Sequence, residues 1–431
     1  MLRAYVLGMT EDHVSIFIAL ERIANNMKIV PFSDNQSKLF CDFPLIGTEN
    51  FPFPVIISSS EFNPTEPRDG VFLTCKNLMR IDKEIEVNRS LIEKACDLYK
   101  QMLRYAAEKK WDGIYNITKV NSHNKKEWYD EQWMEQVITK CKDVILHTPI
   151  VRTTCGDMKA LLDDVDNQQL FIISDRNAAI REKIWSLLSY MVPNMIPRKE
   201  DLHEWHRSLW LGYNRYTFET LSELVSNLEH VYALEAKLDH IDWRDWLNEY
   251  YVLIDENEKW QIYVKNSQLN ILPNQRGDFC CVADLYFDVD ILEEYKEILT
   301  DLGKDIKAKL LHLDFECSVW FCCQKVNNNQ ILELIEKQLE QAEKEDKEQV
   351  YYKIIFMYSN SFDDLDLQKK ICNYASDILE LKLEMHEVKA ISEKMLREAL
   401  KYTITMVADR ISECKDYILY IGTILHKWME R

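Results

Sequence analysis

The chain has 431 residues, of which 47% are apolar and 11% aromatic, and carries a formal net charge of −19. That apolar share suits a packed core, and the length exceeds what one core usually serves, so two or three domains are expected. The negative charge repels phosphate backbones, and Lys and Arg are interleaved with acids, as over 337–347, which excludes nucleic acid as a partner.

No stretch approaches the roughly 18 to 20 uninterrupted apolar residues of a membrane span. Residues 1–8 run into Glu11, Asp12 and His13 before a secretory core can form. Twelve cysteines without a Cys-x-x-Cys spacing read as free thiols. A soluble, cytoplasmic protein without a membrane partner is therefore expected.

In chain order, residues 14–20, 27–32, 39–43 and 53–57 are short apolar runs rich in β-branched and aromatic side chains. They predict a sheet, with prolines at strand ends or an edge. From 88 to 110 apolar residues recur at three- and four-residue steps among charged ones, the pattern of an amphipathic helix, and a second helix is expected over 128–144. Residues 151–154 and 170–174 read as strands, and 178–191 as the helix that follows. Between 200 and 260, Trp205, Trp210, Trp243, Trp246 and Trp260 accompany helical patterns such as 218–228 and 243–251, where large rings suit helix packing. Residues 260–264 and 269–272 are expected strands, ahead of a turn punctuated by Pro273 and Gly277 and a helix over 290–302. From 329 onward the pattern is almost wholly helical, over 330–350, 365–381 and 388–428.

The fold class that follows is α/β of the α+β kind. A β-rich lobe spans 1–80, a helical and α/β part 81–200, tryptophan-rich helices with a strand-turn-helix 201–328, and a helical C-terminal domain 329–431.

The sequence contains no hydrolase elbow, no P-loop and no dinucleotide-binding turn. In His203-Glu204-Trp205-His206 the histidines are three apart, which is not the zinc-helix spacing; His312, Cys317, Cys322 and Cys323 adjoin an apolar run and read as packing residues. Neither a metal site nor a complete catalytic set is expected. Two segments carry more. Asn63-Pro64-Thr65-Glu66-Pro67-Arg68-Asp69-Gly70 presents Arg68 on a loop stiffened by two prolines and turned at Gly70, ahead of a strand over 71–73; pairing with Glu61, Glu66 or Asp69 would fix that loop. Leu272-Pro273-Asn274-Gln275-Arg276-Gly277-Asp278-Phe279 reads as a strand, a tight turn and a helix entry, its Asn and Gln satisfying turn backbone groups.

Phe43-Pro44-Leu45-Ile46-Gly47-Thr48 through Arg68-Asp69-Gly70, and the 273–279 turn with Asp284-Leu285-Tyr286-Phe287-Asp288 after it, resemble sequences that follow the ATP-binding module in sacsin-like proteins. These are relatives of the ninety-kilodalton heat-shock chaperone, within the GHKL superfamily of gyrase, chaperone, histidine kinase and MutL. The resemblance covers 40–80 and 243–300. It implies a non-catalytic middle and C-terminal portion that couples the nucleotide state of a GHKL-type ATPase module, in another segment or chain, to protein partners or clients. It also implies a role for Arg68: contact with the γ-phosphate of ATP held with Mg²⁺ in that module, where a guanidinium forks two hydrogen bonds onto phosphate oxygens.

The chain departs from the family's nucleotide-binding pattern itself. Glu21 and Asn25 have the spacing of its water-orienting acid and Mg²⁺-holding asparagine, but the glycines that let backbone approach phosphate are missing, and the sequence has nine glycines in all. The pair therefore reads as the polar end of a strand or helix. The chain is expected to begin where the ATPase module ends, to hold no cofactor, to lack activity on its own, and to be compatible with homo-oligomerisation. Two other readings stay open: a free-standing interaction scaffold using the helices at 330–347 and 388–428, and an enzyme with a dispersed site.

Overall fold

The computed structural model describes residues 4–342, 347, 350 and 353, apart from 25, 75–81, 121–127, 129, 163–168, 211–212, 214 and 319. The helices expected at 365–381 and 388–428 lie outside the described residues. The chain is a mixed α/β protein, as its pattern predicts, and divides into two compact units, Met1–Leu269 and Asn270–Arg431.

In the first unit, β1 (Ala4–Glu11), β2 (Val14–Ile23), β3 (Asn26–Val30), β4 (Leu39–Cys41), β5 (Phe43–Pro44) and β6 (Ile56–Ser58) form one sheet ordered β1-β2-β6-β4-β5, with β3 also on β2. β1 and β2 meet through Asp12 and His13, whose φ values of 40° and 66° suit the tight hairpin turn that follows strand twist. β1 was not apparent in the pattern, because Gly8 interrupts its apolar residues; that glycine leaves room for the Phe17 ring, which would lie 2.7 Å from an added Cβ. The other edge of β2 is shared by β6, at 15–17, and β3, at 19–23. β4 runs parallel to β6, and Pro44, which has no N–H to offer, sits in the edge strand β5.

Val14, Ile16, Ile18 and Leu20 alternate inward from β2 and are buried, and α1 (Asp82–Glu108) covers that face with Leu91, Ile92, Ala95, Leu98, Tyr99, Met102 and Leu103. Each fully buried Leu or Ile contributes on the order of 2 kcal/mol. α2 (Glu131–His147) packs on α1 and starts where the Asp130 carboxylate accepts from the N–H groups of Gln132 and Trp133. One core joins the sheet, both helices and residues as distant as Tyr213.

β7 (Val151–Arg152) and β8 (Met158–Lys159) make a short hairpin. The strand expected over 170–174 does not form; Ile173 contributes a single bridge to Tyr216. α3 (Ala178–Met191) matches its expected span, fixed by the Asn177 cap. After it come α4 (Leu202–Ser208), α5 (Phe218–Ser226), α6 (Val231–Glu235), α7 (Trp243–Asp255) and α8 (Glu258–Ser267). α8 overturns the strand expected at 260–264: Asn257 caps it, and Trp260 and Val264, four apart, bury on one face, where Phe218 stacks on the Trp260 ring at 4.2 Å.

In the second unit, β9 (Leu272–Pro273) and β10 (Phe279–Cys280) form an antiparallel hairpin, so the 273–279 motif is a strand-turn-strand and not a helix entry. β11 (Tyr286–Val289) pairs in parallel with β12 (Gln324–Asn327), and α9 (Glu293–Asp301) packs with α10 (Asn328–Gln341). Their core includes Tyr295, Ile298, Leu299, Ile331 and Ile335. Among the described residues no helix is long and apolar enough to cross a membrane.

Candidate functional site

The loop over 63–73 is built as a turn within a turn. Pro64 and Val71 form a β-bridge, the Thr65 N–H donates to the Gly70 carbonyl at 3.0 Å, and the Arg68 N–H donates to the Thr65 carbonyl at 2.8 Å. The Thr65 hydroxyl donates to Asp69 Oδ1 at 2.7 Å. Arg68 itself takes the left-handed conformation, φ 56°. The sharp turn thus rests on Arg68, not on Gly70 as the sequence suggested. Gly70 is needed for a different reason: a Cβ there would lie 2.2 Å from the Trp128 indole.

The Arg68 side chain is exposed, and its Nη2 donates to the Cys41 carbonyl at 2.9 Å. A neutral carbonyl thus takes the place expected for Glu61, Glu66 or Asp69. Asp69 instead receives the Thr65 hydroxyl, and Glu61 lies 3.7 Å from His13.

The 43–48 turn packs directly against this loop. Gly47, at φ 106°, approaches Asp69 so closely that an added Cβ would meet its Cβ at 3.2 Å and its carbonyl at 3.3 Å. Thr48 Oγ1 donates to the Leu45 carbonyl at 2.7 Å and accepts from the N–H groups of Lys38 and Leu39. The Glu49 carboxylate takes the Gly47 N–H and the Ser37 hydroxyl. Leu45, Phe51 and Phe53 are core residues, whereas Phe43 and Ile46 point outward.

What sequence reasoning missed is the attachment of this loop to α1. Asn88, with no exposed surface, accepts from the Asn63 N–H at 2.8 Å and donates to the carbonyls of Asn63 at 3.0 Å and Phe72 at 2.9 Å. Next to it, Arg89 donates from Nε and Nη2 to the Leu73 carbonyl, and its guanidinium lies 5.0 Å from the centre of the Trp133 ring on α2. The available signal was a polar Asn among the apolar positions of an amphipathic helix. Buried polar groups of that kind hold something.

The other expected positions are distributed elsewhere. Glu21 lies in β2, opposite Lys28 in β3, and Asn25 lies outside the described residues. His203 and His206 serve arginines: Arg181 Nε donates to His203 Nδ1 at 3.2 Å, and Arg215 Nη1 lies 3.3 Å from His206 Nδ1. Burial, with Arg181 and Arg215 beside it, pushes the His206 imidazole below its ordinary pKa. No group of three or more His, Cys, Asp or Glu positioned to hold a metal occurs among the described residues.

In the second unit, Asn274 is satisfied on all sides. Its Oδ1 accepts from the N–H groups of Arg276 and Asp278, and its Nδ2 donates to Asp278 Oδ2 and the Ala308 carbonyl. Gln275 bridges a buried ion pair: Nε2 donates to Asp288 at 2.7 Å and Oε1 accepts from Lys296 at 2.9 Å, while Lys296 and Asp288 meet at 2.7 Å. Burial raises the Asp288 pKa, but hydrogen bonds from Lys296, Gln275 and the Ile291 N–H outweigh it, so the carboxyl lies below its ordinary value. The motif fixes the hairpin to β11 and α9 and spends its polar groups doing so.

No protein-family model, characterised protein or solved structure matches this chain.

Proposed function

We propose that the chain is the non-catalytic, force-transmitting portion of a sacsin-like, chaperone-related ATPase. ATP and Mg²⁺ are held by a GHKL-type module in another segment or chain. Arg68 reaches the γ-phosphate of that nucleotide, and the change on hydrolysis passes through the 63–73 loop into α1 and on to protein partners.

The observation that carries this reading is the coupling of an exposed guanidinium to a long helix without slack. Arg68 sits at the tip of a turn whose two ends are fastened to neighbouring residues of α1, Asn88 and Arg89. A buried hydrogen-bonded network resists bending, so displacement of the tip moves the 27-residue helix as a body. A guanidinium held this way also meets a phosphate with little reorganisation, which is what stabilising charge in phosphoryl transfer requires.

The test compares nucleotide binding by this chain alone with ATP turnover after adding a GHKL-type ATPase module. The reading expects no ATP binding by the chain alone, stimulated turnover in the mixture, and a loss of about 100-fold or more for Arg68→Ala, the scale of removing a guanidinium from a phosphoryl-transfer site. Equal turnover by Arg68→Ala and wild type removes Arg68 from the mechanism. An interaction scaffold would be indifferent to both nucleotide and mutation.

A further inference from the structure

Two histidines on α4 are held by arginines in a way that leaves no place for a proton at Nδ1. Arg181, on α3 and 6% exposed, points Nε and Nη2 at His203 Nδ1, at 3.2 and 3.1 Å. Arg215 Nη1 lies 3.3 Å from His206 Nδ1. A guanidinium donates and never accepts, so both imidazoles accept at Nδ1 and are neutral. The same guanidiniums tie separate segments together. Arg181 Nη1 donates to the Asp175 and Arg176 carbonyls ahead of α3, and Arg215 donates to Ser174 Oγ and to the His206 and Leu209 carbonyls. Residues 174–176, the start of α3 and α4 thus share one latch, with the imidazoles among its acceptors.

We infer that this latch is a pH-sensitive device: a proton on His206 replaces its acceptor with an N–H aimed at a guanidinium, and α4 parts from 174–176. Charge acts in the same direction. Neither Arg181 nor Arg215 touches a carboxylate among the described residues, so the proton adds a third positive charge beside two guanidiniums. The acids around the latch are committed elsewhere. Asp175 accepts from the Asn177 N–H, Asp201 is held by Arg198, and Glu204 pairs with Arg207. Lys199, on the turn before α4, lies over the Trp185 ring. Tyr115, packed on Trp205, has its hydroxyl pushed up to about 12 by burial and stays neutral. Glu182 lies 3.1 Å from His203 Nε2 and would pair with a charged His203. His206 has no such acid; Arg181, Arg215 and His203 face it, and a hydrogen bond to the Ile173 backbone is all that favours its charged form. Released, the imidazole titrates near its ordinary value of about 6.5; held, it titrates lower. The latch is therefore closed above about pH 6.5 and weakens as pH falls below it. It involves neither Arg68 nor a nucleotide.

Hydrogen exchange at about pH 7.5 and about pH 5, corrected for intrinsic rates, tests the device on wild type and His206→Gln. The glutamine amide can accept from Arg215 but cannot take up a proton, and near-ultraviolet circular dichroism at the higher pH verifies the fold. One imidazole that titrates near 6.5 when released changes the opening constant by at most about 30-fold over that range. Wild-type amides of α4 and 174–177 are expected to lose about 10- to 30-fold in protection, and those of the β1–β2 hairpin less than about 3-fold. In His206→Gln the latch amides should respond less than about 3-fold. The inference is overturned by a wild type that keeps its protection, by a loss shared equally with the hairpin, or by His206→Gln responding as wild type does. If His206→Gln does not fold, wild type decides alone through the nitrogen shifts of its His206 ring. Titration below about 6.5, in step with the loss of protection, supports the latch, and titration at or above that value overturns it.

Discussion

Replacing Asn88 with alanine tests the attachment of the Arg68 loop to α1. The side chain has no exposed surface and makes three hydrogen bonds, to the Asn63 N–H, the Asn63 carbonyl and the Phe72 carbonyl. The Asn63 carbonyl keeps a second donor, the Phe72 N–H at 3.3 Å, so its loss is partial. The Asn63 N–H and Phe72 carbonyl lose the partner that Asn88 supplies. At about 1 to 1.5 kcal/mol for each of those two and less for the third, the change costs about 3 kcal/mol. Asn88→Asp keeps the acceptor for the Asn63 N–H but sets a buried carboxyl oxygen against the Asn63 and Phe72 carbonyls, so it should cost at least as much as alanine. Urea unfolding followed by tryptophan fluorescence gives the loss, and hydrogen exchange locates it: amides of 63–73 should lose protection while the β1–β2 hairpin retains it. An Asn88→Ala protein within about 0.5 kcal/mol of wild type, or one whose loop exchanges no faster, would refute the claim that this side chain fastens the loop.

Gly70→Ala pushes a methyl into the Trp128 indole, which stacks on Phe51 at 6.1 Å, so the ring must shift; a loss of about 2 to 3 kcal/mol and a changed near-ultraviolet spectrum are expected, and unchanged spectra would place the indole elsewhere. Lys296→Met leaves the buried Asp288 carboxylate with Gln275 and the Ile291 N–H but no cation and should cost about 3 to 5 kcal/mol, whereas Lys296→Met with Asp288→Leu should recover at least about half of that in urea midpoints; a double variant as unstable as the single would contradict the argument. The folded His206 pKa lies below its unfolded value of about 6.5, so its contribution is complete above that pH and is lost as pH falls below it; His206→Gln should flatten the stability profile below about pH 6.5, and an unchanged slope there would exclude His206 as its source.

Local pattern made much of the fold legible. The span 178–191 is the helix α3 because its apolar spacing and its Asn177 cap agree, and the apolar run of β2 is a strand because alternation put one face inward. Legibility failed where tertiary partners decided. Residues 260–264 alternate like a strand, but Phe218 stacking on Trp260 and the Asn257 cap make them helical. Of the site, the sequence displayed Arg68 and the turn residues around it. It marked Asn88 as a polar residue on an apolar helix face but could not display its partners, 16 and 25 residues earlier, nor the burial of Lys296, which depends on Asp288 and Gln275.

The loop's backbone bears on why Arg68 matters. A left-handed conformation costs a side-chain-bearing residue roughly 1 to 2 kcal/mol relative to its ordinary region, and glycine adopts it freely. The chain has a glycine two positions on, at Gly70, where the backbone has no left-handed demand and the missing Cβ serves the Trp128 contact instead. Stability alone would put glycine at both places. The strained position carries an exposed guanidinium, and the Thr65 turn, Asn88 and Arg89 hold the surrounding backbone in that geometry. Under the proposed function, strain at the tip of this loop, offset by the buried hydrogen bonds behind it, would hold Arg68 ready for the phosphate it meets.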